Sequence, residues 1–222
     1  MCPEHVPDEV TLARSLANRR CSLAEALGTA EIELGREGLE NAHRAAFGPP
    51  ALQPGLFHQT AVTTFSVIFT TAWDDLFEQA ADAAGLAYEV SWRGDLLPDP
   101  EPGILKIHKL LGGFDRPGSV IATANHRRQT PLPAEQKRYW RKLFRGHVGL
   151  FVGYSPHETE FEILFDELVA GYGGELPRTH WAVSQGRITD VQWQKWVWRG
   201  MLLFTGDPSE VAETLGNSSA VS

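Results

Sequence analysis

The hydrophobic pattern of this chain changes period repeatedly, and each change marks an element. From Asp8 to Arg20 the apolar residues Val10, Ala13, Leu16 and Ala17 recur at helical spacing. Ser22-Leu23-Ala24-Glu25 reads as a capping box, which starts a second helix expected to run to about Phe47 with a break at Gly28. Pro- and Gly-rich residues 48–55 form a loop, followed by a short helix over Leu56–Thr60. Then the period shortens. Val67-Ile68-Phe69 is the β-branched and aromatic run of a strand covered on both faces, and it stops at Thr70-Thr71. Thr71 as a cap, with Asp74 in the first turn, predicts a helix that opens at once and covers Trp73–Ala84.

From there strands and helices alternate. Gly85 stops the helix, Leu86–Trp92 reads as a strand, and the proline-rich stretch Asp95–Gly103 as a surface loop. Ile104–Leu110 alternates apolar and polar residues, which predicts a strand with one wetter face. After a Gly112-Gly113 turn, Ser119–Thr123 is a short strand candidate. Pro133–Phe144 reads as a basic helix and His147–Tyr154 as a second buried strand. Ser155-Pro156-His157-Glu158 forms another capping box, with a helix from His157 to Ala170. Strands are expected at Thr179–Val183 and Met201–Thr205, flanking a helix over Asp190–Trp198, and residues 216–222 read as a disordered tail. This alternation predicts an α/β fold, a Rossmann-like parallel sheet with helices on both faces, as one domain over residues 1–215.

Composition narrows the classes of function. The chain has 222 residues, 42% of them hydrophobic, with seven Trp and eleven Phe, enough for a substantial core. A net charge of −8, with no basic block beyond pairs such as Arg127-Arg128, argues against a nucleic-acid surface. No apolar run approaches a membrane span and no signal pattern opens the chain, so a cytoplasmic location without membrane contact is expected. Cys2 and Cys21, with eight scattered His, supply neither zinc spacing nor a disulfide framework.

Two strand-to-helix corners carry the candidate chemistry. Phe69-Thr70-Thr71-Ala72-Trp73-Asp74 and Phe151-Val152-Gly153-Tyr154-Ser155 each place small or hydroxyl residues at a helix N-terminus, where open α/β sheets bind phosphorylated ligands. A capping role alone also accounts for Ser155, and a first-turn acid for Asp74.

Together these corners resemble the SIR2-like family, the sirtuin-related proteins whose bacterial defence branch consumes NAD. Thr70-Thr71-Ala72-Trp73-Asp74 is similar to the family's T-T-N-x-D. Lys106-Ile107-His108, or else Lys109-Leu110-Leu111-Gly112, is similar to K-L-H-G. The run Asp115 to Thr123 resembles D-x-P-x-S-hydrophobic-x-T, and Phe151 to Ser155 resembles F-V-G-[FY]-S. The resemblance implies a Rossmann-like domain that binds NAD and cleaves its nicotinamide–ribose bond. The family Asn orients a water there, and the family His acts as base on the ribose or that water. It assigns Thr70, Thr71, Asp74, Gly153 and Ser155 to the cofactor.

The chain departs from this pattern in three places. Ala72 stands at the Asn position, and a methyl group neither donates nor accepts a hydrogen bond. A gapless fit to Asp115 puts Leu111 at the His position. A fit with a short insertion, which a loop tolerates cheaply, keeps His108 there and is preferred. The opening G-A-G-x-S loop has no counterpart, since the first glycine is Gly28. The expectation is an impaired NAD hydrolase, with NAD as ligand and a second copy or a partner defence protein completing it. A catalytically silent binding or assembly subunit is the alternative. A protein deacylase is weaker still, because the four-Cys zinc module of those enzymes is missing.

Overall fold

The computed structural model describes residues 23–47, 52–95, 99–153, 159–169, 172–173, 175–184 and 187–219. The helix expected over Asp8–Arg20 and the Ser155–Glu158 capping box lie outside the described residues. The chain divides into two compact units, one ending at Pro131 and the other beginning at Leu132.

The first unit runs α1 (Leu23–Phe47), α2 (Leu56–Thr64), β1 (Val67–Thr70), α3 (Leu76–Ala83), β2 (Ala87–Trp92), β3 (Ile104–Lys109) and α4 (Ala124–Gln129). Its strands form a parallel sheet in the order β1-β3-β2, with Ile68 and Val90 both opposite Ile107. One face packs Ile68, Leu105 and Ile107 against Ala61 and Val62 of α2 and Ala80 and Ala81 of α3. Ile107 is fully buried, and each such side chain contributes about 1.5–3 kcal/mol.

The other face is unusual for a parallel sheet, because Lys106 and His108 lie on it and both are buried. The wetter face expected for β3 is therefore corrected. A strand between two neighbours receives polar partners from the sheet itself: Glu89 stands opposite Lys106, and Ser91 opposite His108. The Lys106 ammonium meets Glu89 Oε2 at 2.7 Å.

α1 breaks at Gly35 (φ +70°), not at Gly28. The segment Ser119–Thr123, expected as a strand, joins no ladder. It is extended chain held from two sides. Ile121 N donates to Leu111 O, and Arg36 of α1 donates to the carbonyl of Gly118, whose own N–H donates to Glu40. Its Thr123 then caps α4 by accepting from His126 N.

The second unit contains α5 (Ala134–Gly146), β4 (Leu150–Val152), α6 (Thr159–Val169), β5 (His180–Ser184), α7 (Asp190–Trp198), β6 (Met201–Thr205) and α8 (Pro208–Ser219). Its sheet is also parallel, in the order β4-β5-β6. α5 buries Gln136, Tyr139, Trp140, Leu143 and Phe144, one stripe at helical spacing. Trp196 packs edge-on against Phe165, and the Arg199 guanidinium lies over both rings. α8 extends into the stretch expected to be disordered. Both sheets are parallel and flanked by helices, the α/β architecture that the alternating pattern implied. Among the described residues no helix is long and apolar enough to cross a membrane.

Candidate functional site

In parallel sheets every strand delivers its C-terminal loop to the same edge, where ligands bind. β1 and β3 are neighbours, so the loop after Thr70 and the loop after Lys109 emerge side by side. The Thr70 side chain is buried and its Oγ1 accepts from Ala72 N at 3.0 Å, which curls the chain outward and leaves Thr71 and Ala72 exposed. Asp74 Oδ1 then accepts from Leu76 N at 3.2 Å, and Asp75 is the N-cap residue of α3. The helix expected to open at Thr71 therefore begins only after Asp75. Thr71, expected to cap it, is exposed, and the turn is made by the hydroxyl of its neighbour Thr70.

Lys109 secures this loop from below. Its buried ammonium donates to the Asp74 carbonyl at 2.8 Å, pairs with Glu78 Oε1 at 2.7 Å and lies 3.4 Å from Asp115 Oδ1. Neither Glu78 oxygen has a well-aligned hydrogen-bond donor among the described residues, so Lys109 is the main compensation for its burial. Burial accordingly raises the Glu78 pKa above the ordinary carboxylate range, with Lys109 opposing the shift. Phe114 N donates to Trp73 O at 2.9 Å, and the rings of Trp73 and Phe114 meet edge-on.

The second loop is tied at Gly112 and Gly113. Gly112 has φ +82°, and a Cβ there would stand 2.1 Å from the Ser119 carbonyl oxygen. The Ser119 hydroxyl accepts from Gly113 N and donates to Gly113 O, both at 3.0 Å. Gly112→Ala should therefore cost about 2–4 kcal/mol, from strain and overlap together. A urea melt of the variant checks this, and a loss below ~1 kcal/mol would contradict the knot.

His108 sits one strand across from Phe69, whose ring lies 4.9 Å from the imidazole, and its Nδ1 is hydrogen-bonded to Ser91 Oγ. Burial, followed by the Lys106 charge, holds its pKa down to about 4. The ring is neutral near pH 7 but a weak base. In the second unit, Gly153 follows β4 with φ +76° and is exposed. Ser155 lies outside the described residues.

A family model described as the SIR2-like domain matches residues 66–202, from the start of β1 into β6. The chain belongs to the SIR2-like family. No curated protein sequence matches it. Membership gives the domain an NAD-related function in general terms.

Among the predicted residues of this SIR2-like domain, Thr70 and Ala72 share a hydrogen bond. Asp74 joins them through the Lys109 clamp, and His108 stands beside Phe69, the residue that leads into the loop. Sequence reasoning named Lys109 and Gly112 only as motif positions and missed the Lys109 clamp, Ser91, Glu78 and the bond between Gly113 and Ser119. The available signal was charge inside strand patterns, because two lysines within a six-residue strand demand partners. Among the described residues no group of His, Cys, Asp and Glu is arranged to hold a metal ion.

Proposed function

We propose that this SIR2-like domain takes NAD at the loop after β1, using Thr70, Thr71 and Asp74. Cleavage of the nicotinamide–ribose bond is impaired in it. The observation that carries this reading is Ala72. It is an exposed residue on a tightly held loop, its N–H already committed to Thr70 Oγ1, at the place where the family carries Asn. A water that attacks the ribose must be held about 3 Å from the reacting carbon, and a methyl group cannot hold one.

Two features support the register Lys109-Leu110-Leu111-Gly112 for the K-L-H-G motif. Gly112 occupies a position that only glycine fits, and Lys109 reaches the carbonyl of the T-T-x-x-D loop. That register puts Leu111 at the His position, where no base is supplied. It favours the second reading, a silent subunit that binds NAD or assembles with another protein. In either case the domain belongs with the NAD-consuming branch of prokaryotic antiphage defence. It works in the cytoplasm with a second copy or a separate defence protein as partner.

Incubation with NAD should release little or no nicotinamide. Ala72→Asn is expected to raise the release by about a hundredfold or more, the lower end of what a positioned polar group contributes. A variant that binds NAD yet still releases nothing would leave only the binding-subunit reading.

A further inference from the structure

Helix α2 enters β1 through Phe65 and Ser66 alone, so the chain reverses between them. The nine-residue helix and the four-residue strand each span about 13 Å. The first turn of α2 therefore lies at the sheet edge where the loop after Thr70 emerges. Ring contacts agree with this. The His58 imidazole lies 4.9 Å from the ring of Phe77, in the first turn of α3, and Phe57 meets Phe77 edge-on. His58 stands outside every motif that carried the resemblance.

Gly55 N–H donates to His58 Nδ1 at 3.3 Å, and a backbone N–H can only donate. In the neutral ring the proton is therefore on Nε2. Burial keeps the ring neutral near pH 7 by lowering its pKa, against opposing pulls from the nearby Asp74 carboxylate and the Gly55 bond. Asp74 Oδ1 is occupied by Leu76 N–H. Among the described residues neither His58 Nε2 nor Asp74 Oδ2 has a hydrogen-bond partner, and both side chains are half-buried. A donor and an acceptor thus stand near one another beside the loop that carries Thr71 and Ala72.

We propose that His58 is a ligand-binding residue, which donates its Nε2–H to an oxygen at the same end of NAD as Asp74. This deepens the reading above and rests on it. The acceptors of suitable chemistry there are the ribose hydroxyls and the carboxamide carbonyl. His58 is a donor and not a base, because Gly55 already occupies Nδ1, so the cleavage defect stands.

Equilibrium dialysis of the whole protein against NAD compares the parent with His58→Asn and His58→Gln. Asn sets an acceptor near the Nδ1 position, which keeps the Gly55 bond, and has nothing at Nε2. Gln sets an amide N–H near Nε2. His58→Asn should weaken NAD binding about three- to tenfold, the contribution of one hydrogen bond, with the urea midpoint unchanged. His58→Gln should regain most of that loss. Parent-like affinity in His58→Asn overturns the proposal, and with a weakened His58→Gln it is the pattern of capping alone. Equal weakening in both variants overturns it as well. In the parent, the NMR signals of the His58 ring, assigned through its own backbone, should shift as NAD is added. If NAD is retained while those signals stay fixed, this contact is removed and the binding reading stands. If the parent retains no NAD, both fall together.

Discussion

Lys109→Met should destabilise the first unit by about 3–5 kcal/mol, the usual cost of removing one partner from a buried ion pair. Among the described residues, the substitution leaves Glu78 without its only counter-charge at ion-pair distance, since Asp115 can only add repulsion. It also frees the Asp74 carbonyl. The loss has a distinctive pH dependence. The Glu78 pKa is already raised in the folded protein, and without Lys109 it rises further. A raised carboxylate pKa means that the group's contribution is full below its unfolded value and fades as pH climbs through the folded one. The deficit of Lys109→Met should therefore shrink in acid, and Glu78→Gln added to Lys109→Met should recover part of it at neutral pH. Urea melts at two pH values test this. A deficit under ~1 kcal/mol, or one that grows in acid, would show that Lys109 does not clamp the loop. Because the clamp holds the stretch that carries Thr71 and Ala72, NAD binding should weaken alongside stability.

The second large effect is loss of stability between about pH 6.5 and 4, with one histidine responsible in each unit. His108 and His180 are both buried, and burial holds each pKa down to about 4, with Lys106 and Arg178 adding smaller repulsions. His180 Nδ1 accepts from Gly149 N at 2.8 Å, so protonation would set two donors against each other. A histidine whose folded pKa is depressed stabilises the protein fully above the unfolded value of ~6.5, and that contribution disappears as pH falls towards 4. At ~1.4 kcal/mol per pH unit, each should contribute about 3 kcal/mol over this window. Glu78 acts in the opposite sense and offsets a fraction in the first unit. Chemical melts from pH 7 to 4.5 on His108→Gln and His180→Gln check the assignment: each substitution should flatten the slope. Parent-like slopes in both variants would place the acid sensitivity elsewhere.

Much of the fold was legible in the sequence because local pattern and global structure agree there. Asp190–Trp198 and Met201–Thr205 fall where their periodicity places them, and the Thr189–Gln192 capping box fixes the start of that helix. The misreadings share one cause, a side chain satisfied by something distant or unexpectedly close. The start of α3 moved because Thr70 turns the chain locally and Asp74, not Thr71, accepts from the first helical N–H, that of Leu76. Ser119–Thr123 has the composition of a strand, yet its neighbours are Arg36 and Glu40, far away along the chain. Alternation in β3 suggested a wet face because a single sequence does not say which strand lies in the middle, or that Glu89 and Ser91 will stand beside it. The site was legible as a motif at Thr70–Asp74. Its support, Lys109 with Glu78 and Asp115, became visible only in three dimensions.

The central claim is that this SIR2-like domain holds NAD and has lost efficient cleavage of it. Equilibrium dialysis of the whole protein against NAD, with nicotinamide quantified in the same chamber, tests it directly. The account predicts saturable binding with the NAD recovered intact. Rapid appearance of nicotinamide from the Ala72 protein, or no NAD retained at any concentration, would contradict it.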